Sequence, residues 1–158
     1  MNYRRADIAD LSLVVATALE FFRELPENVG KEQLTLDGAP LSPELWKFVL
    51  RFVSAPQFLT ILGEEDGKVK VLFVAEAVLN EWNNTLGARD QLLYVTPDAR
   101  DGSWVRDGLP LVDEWAKEMH ITQLVVTPTK SKNNTVFAEF LSQHGFVPMG
   151  TILKKTYE

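Results

Sequence analysis

The run Leu93-Tyr94-Val95-Thr96-Pro97-Asp98-Ala99-Arg100-Asp101-Gly102-Ser103-Trp104-Val105 holds the residues whose order carries the clearest chemistry. A strand pattern ends at Val95, a turn bearing Arg100 and Gly102 follows, and a helical pattern then begins. That order suits a pyrophosphate group, because a helix N-terminus presents unpaired N–H donors and about half a positive charge to an anion. Arg100 would add a charge-assisted contact to a phosphate oxygen. Its ordinary reading is a surface arginine paired with Asp98 or Asp101. The chain has no cysteine, which excludes a cysteine nucleophile, a thiolate zinc site, an iron–sulfur cluster and a disulfide framework. Its two histidines, His120 and His144, suggest neither a metal site nor a Ser/His/Asp grouping. Both sit near helix ends, where the helix dipole accounts for them.

Holding such a turn in place requires a packed domain, and 158 residues at 46% apolar and 24% charged are enough for one. Composition is even along the chain and no repeat is visible, so residues 1–158 read as a single domain. Asn2–Arg5 is a short strand. From Asp7, residues Ile8, Leu11, Val14, Val15, Leu19, Phe22 and Leu25 recur at helical spacing until Pro26. Residues 26–41 form a long polar connection, of the length that accompanies function or mobility. Ser42-Pro43 opens a second helix, which buries Leu45, Trp46, Val49, Phe52 and Val53 and ends at Pro56.

Two strands, 58–62 and 69–78, flank Glu64-Glu65-Asp66-Gly67 as a hairpin, and a second turn over 82–88 leads to a third strand, 91–95. A helix to about His120, a strand over 121–127, a helix over 134–144 and a last strand or pair over 146–156 complete the order. The sum, β-α-α-β-β-β-α-β-α-β, is an α+β or α/β domain on a mostly antiparallel sheet. Residues 91–127 should form one right-handed parallel β-α-β crossover. Pro110 bears on where that helix starts, since an interior proline costs about 3 kcal/mol or more. A start near Asp107, with 101–106 as a longer loop, avoids the cost.

Sixteen basic and twenty-two acidic side chains give a net charge of −6, which argues against general nucleic-acid binding and favours cationic partners. No run approaches the roughly 18 apolar residues of a membrane span, and the first ten residues are unlike a signal peptide. The expected compartment is cytoplasmic.

From Leu92 to Gly150 the sequence resembles the GCN5-related N-acetyltransferases (GNAT), which transfer an acyl group from coenzyme A to an amine. Val95-x-Pro97, Arg100 and Trp115-Ala116 fall at that family's spacing without a gap. Asn134, then Phe140-Leu141-Ser142-Gln143-His144-Gly145-Phe146, follows its Asn and Tyr-x-x-x-Gly-Phe pattern, and Gly150 also matches. The turn loosely resembles that of small phage-encoded members. The resemblance extends in element order over the whole chain and implies a GNAT-like single domain, with a twisted sheet flanked by about four helices.

The resemblance further implies acetyl-CoA as co-substrate and an amine acceptor, on a monomer or homodimer. Val95 and Thr96 would meet the pantetheine arm through backbone groups where the fourth and fifth strands splay. Arg100, Asp101, Gly102, Ser103, Trp104 and Val105 would form the pyrophosphate turn. Asn134 would contact the pantetheine arm, or else simply cap its helix. The general base would be Glu76 or Asp90, drawn from the region that supplies the family's carboxylate; Glu76 would instead face solvent if it alternates outward. Leu141 stands where the family has its tyrosine acid, with Ser142 beside it and Tyr94 and Tyr157 as other hydroxyls. Ser103 and Val105 fall where the family has glycines, while Gly102 comes one place early. These departures define the alternative, an inactive protein of the same fold that acts by binding a protein partner.

Overall fold

A computed structural model describes residues 1–24, 43–127 and 134–149. The chain divides into two compact units, Met1–Thr127 and Pro128–Glu158. In the first, strands β1 (Asn2–Arg5), β2 (Phe58–Glu65), β3 (Lys68–Asn80), β4 (Thr85–Val95) and β5 (Leu124–Val125) form one sheet in the order β1-β2-β3-β4-β5. The first four pair antiparallel, and β5 runs parallel to β4. Helices α1 (Leu11–Glu24), α2 (Pro43–Ser54) and α3 (Ser103–Glu118) belong to this unit, and α4 (Asn134–Gln143) to the second. Among the described residues, no helix is long and apolar enough to cross a membrane.

The continuous apolar runs of β2 and β3 follow from a sheet covered on both faces. Alternation sends Leu62, Leu72 and Val74, with Leu92 and Tyr94 of β4, to a core shared with Val14, Val15 and Ala18 of α1 and Val49 and Phe52 of α2. The intervening residues Ile61, Val71 and Phe73 face the other way, where Phe73 stacks on Trp104 of α3 at 5.5 Å. The β2–β3 hairpin turns on Asp66 and Gly67, both at positive φ, the pairing that matches the twist of the strands.

Several boundaries differ from the sequence reading. Strand β4 begins at Thr85, not Gln91, because the Asn80 and Asn83 side chains accept the backbone N–H groups of Trp82 and Thr85 and reverse the chain within a few residues. Helix α3 begins at Ser103, not Asp107: Gly102 takes the left-handed conformation at φ 81°, and the Asp101 carboxylate accepts the Ser103 N–H at 2.9 Å. Pro110 therefore lies inside the helix, on its exposed side, where water can serve the carbonyl that the proline cannot. The strand expected over 121–127 contracts to Leu124–Val125. Residues 146–149 carry no strand, and 150–156 lie outside the described residues, as do the expected connection 26–41, Ser42 and Tyr157.

Arg4 ties β1 to the entry of α1. Its guanidinium donates two 2.7 Å bonds to Asp10 and one of 2.8 Å to Glu64 on β2. Asp10 is buried and also accepts the Asp7 N–H. The bonds from Arg4 hold the Asp10 carboxyl below its ordinary value. A depressed carboxyl contributes stability above its unfolded pKa and loses it as pH falls through the folded one. Arg4→Met is thus expected to cost about 1–3 kcal/mol at neutral pH, the penalty of stranding a buried acceptor. In urea denaturation the deficit should shrink below pH ~4, as Asp10 gains a proton. A deficit that does not change with pH would assign the loss to packing instead.

Candidate active site

The site is assembled where β4 and β5 part. Among the described residues their parallel register covers Ala88–Leu124 and Arg89–Val125, preceded by a backbone bond from Thr122 to Leu86. Just beyond it, the half-buried Asp90 carboxylate accepts the Thr127 N–H at 2.9 Å. This side chain joins the two strands at the point where their ladder stops. Burial pushes the Asp90 carboxyl up, only partly opposed by that N–H.

At the same level β4 carries a bulge. The register steps from Val74–Leu92 to Ala75–Asp90, leaving Gln91 as the extra residue. Because the extra residue lies on β4, the alternation of β3 continues, and Glu76 shares the face of Leu72 and Val74. It is not turned out to solvent. Its side chain is 18% exposed and accepts bonds from Gln91 Nε2 at 2.7 Å and Arg89 at 3.1 Å. Glu76 and Asp90 thus lie on opposite faces of the sheet, Glu76 on the side of α1 and α2 and Asp90 on the side of α3.

The end of β4 leads into the turn. Thr96 donates its N–H to the Lys70 carbonyl and its hydroxyl to Asp98, which also pairs with Lys70. The bond from Lys70, then that from Thr96, lowers the Asp98 carboxyl to about 2. Asp98 and Asp101 are therefore engaged elsewhere, and neither is the carboxylate that holds Arg100. The Arg100 Nε donates to the Val95 carbonyl at 2.8 Å, and its terminal nitrogen pairs with Glu24, the last residue of α1. The other Glu24 oxygen accepts the Tyr94 hydroxyl at 2.7 Å. Burial raises the Glu24 carboxyl, but the bonds from Tyr94 and Arg100 outweigh it and leave the group below its ordinary value. Burial and the bond to Glu24 push Tyr94 up to about 12, so its hydroxyl stays protonated.

In the helix start itself, Trp104 and Val105 turn their side chains into the core. What α3 offers outward is backbone, the partly exposed Ser103, and the exposed Arg106, which pairs with its neighbour Asp107. The Ser103 N–H holds Asp101 below its ordinary value. In the second unit, the Ser142 hydroxyl donates to the Ala138 carbonyl at 2.9 Å, inside its own helix. Asn134 begins α4, and its side chain lies outside what is described. Among the described residues, no group of three or more His, Asp or Glu could hold a metal ion.

The structure places Glu76 and Asp90 at the β4 bulge, on opposite faces of the sheet, and Val95, Thr96 and Arg100 at and just beyond the end of the same strand. It adds Glu24, Arg89 and Gln91, which the sequence reading missed. Glu24 reaches Arg100 across 76 positions of sequence, and no local pattern announces that. Gln91 matters only because of the bulge, which periodicity does not display.

An antiparallel β1–β4 sheet extended by a parallel β5, with α3 as the crossover, is the fold of the GCN5-related N-acetyltransferases. Solved structures agree along the whole chain. A ribosomal-protein-alanine N-acetyltransferase from Brucella melitensis biovar Abortus 2308 superposes with a TM-score of 0.67 at 8% identity, covering 99% of this chain and 100% of its own. A predicted acetyltransferase with acetyl-CoA from Clostridium acetobutylicum gives 0.69 at 18% identity, over 98% and 95%. An aminoglycoside antibiotic 6'-N-acetyltransferase from Acinetobacter haemolyticus, without ligand, gives 0.63 at 16% identity, over 100% and 99%. No protein-family model and no curated protein matches the sequence.

Proposed function

We propose that the protein is an acyl-CoA-dependent N-acetyltransferase. The observation that carries this reading is the parting of β4 and β5 at Asp90, with a β4 bulge beside it and an arginine-bearing helix start at the strand's end. Acetyl-CoA, which accompanies the clostridial neighbour, would lay its pantetheine arm between the strands beside Val95 and Thr96. Its phosphates would meet Arg100, Ser103 and the backbone of the first turn of α3. The amine would arrive on the face of α1 and α2.

Its nitrogen attacks the thioester carbonyl, giving a tetrahedral oxyanion that backbone N–H groups around the bulge stabilise. The acceptor attacks as the free amine, its ammonium proton having gone to solvent. Glu76, on the acceptor's face, then takes the proton from the nitrogen of the adduct, directly or through water. Collapse forms the amide and expels the coenzyme A thiolate, which takes a proton from water. No covalent enzyme intermediate is needed, in keeping with a chain that lacks cysteine. The acidic net charge favours a cationic amine.

A second reading is supported by one feature: Glu24 and Asp101 already occupy Arg100 and the Ser103 N–H. A protein that has lost cofactor binding and acts on a partner would keep such pairs permanently. Titration with acetyl-CoA separates the two. At about 100 times its Kd the ligand adds roughly 2.7 kcal/mol to stability, a rise of several degrees in Tm. The rise is expected in the native protein and should be largely lost in Arg100→Ala. No change at millimolar acetyl-CoA would overturn the transferase reading in favour of the second.

A further inference from the structure

We propose, resting on the transferase reading, that Glu24 is a built-in competitor for the cofactor's phosphate at Arg100. The bonding around Arg100 is divided in a way that suits exchange. Its Nε is anchored on the Val95 carbonyl, within the strand end, and keeps the side chain in place whichever anion the terminal nitrogens hold. The carboxylates of its own turn are committed elsewhere, Asp98 to Lys70 and Thr96, and Asp101 to the start of α3. The anion on Arg100 comes instead from a different element.

Glu24 and Arg100 have side chains 38% and 42% exposed, so a phosphate from solution can reach the pair without opening the core. An exposed ion pair of this kind is weak enough to be exchanged. When a phosphate takes the guanidinium, Glu24 keeps only the Tyr94 hydroxyl, which lies on the face where the amine would enter. A carboxylate freed there is suited to a cationic acceptor, so the first ligand would prepare the site for the second.

The test is calorimetric titration of acetyl-CoA into the native protein, Glu24→Gln, Arg100→Ala and the double variant. The amide oxygen introduced by Glu24→Gln would still accept the Tyr94 hydroxyl, so the local fold is kept while the competing charge is removed. Glu24→Gln is expected to bind acetyl-CoA more tightly, by up to roughly fivefold, the range that exposed ion pairs give. In the Arg100→Ala background the same change should have no effect. Unchanged or weaker binding in Glu24→Gln would overturn the inference, and so would an equal gain without Arg100, which would mark a diffuse charge effect. Absence of binding in all four proteins would overturn the transferase reading itself, and the inference with it.

Discussion

Trp104→Ala is expected to destabilise the protein by about 3–5 kcal/mol, the usual cost of deleting a large aromatic side chain from a core. The indole is 4% exposed, in the first turn of α3, and stacks on Phe73, which is wholly buried at the centre of β3. Its removal leaves a void between helix and sheet that Phe73 and Val105 cannot fill without leaving their rotamers. The measurement is urea denaturation followed by far-ultraviolet circular dichroism, since the substitution removes one fluorophore. Trp104→Phe should recover much of the loss. A cost below about 1 kcal/mol would mean that the indole serves the turn and not the core. The helix start is a cofactor turn in the proposed function, and there this residue would act on ligand binding by holding α3 against the sheet.

Glu76→Gln is expected to lower kcat by about 10²- to 10⁴-fold while leaving the Kd for acetyl-CoA near its native value, the pattern of a lost general base. Glutamine can still meet Gln91 and Arg89 but cannot take a proton. Asp90→Asn is the informative partner, because asparagine keeps an oxygen for the Thr127 N–H. It should retain activity, whereas Asp90→Ala, which releases Thr127, should weaken acetyl-CoA binding. Stopped assays with an amine panel and calorimetry read the two effects separately. If Asp90→Asn abolished turnover and Glu76→Gln did not, the roles would be reversed. The acid limb of the pH profile would then lie above the ordinary aspartate range, since burial raises that carboxyl.

How much of this was legible in the sequence differs from element to element. Helices α1 and α2 and the β2–β3 hairpin carry their own periodicity and turn residues, and Gly67 adopts the positive φ expected of it. The start of α3 lies earlier than the sequence suggests because proline's cost depends on its surroundings. Pro110 lies on the exposed side, and the Asp101–Gly102 cap supplies a start four residues earlier than Asp107. Strand β5 is shorter than its sequence suggests because Ile121–Thr127 is apolar enough for a strand, whereas pairing depends on where β4 turns away. In the candidate site, the place of Arg100 just after the strand end was legible from order alone, but its partner Glu24 was not, since an ion pair between distant segments leaves no local trace. Glu76 was singled out as a charge in an apolar run; its face depended on which strand held the bulge.

The two-residue length of β5 has a further consequence. Where a longer ladder would have to be broken bond by bond to let anything between the strands, here the last tie among the described residues is one side chain on one amide, Asp90 on Thr127. Openings of that size draw on the low end of a protein's local stability and leave the antiparallel sheet undisturbed. The Thr127 amide is therefore a natural reporter of the cleft. Its deuterium uptake should outpace that of the β3–β4 ladder and slow when a guest lies between the strands.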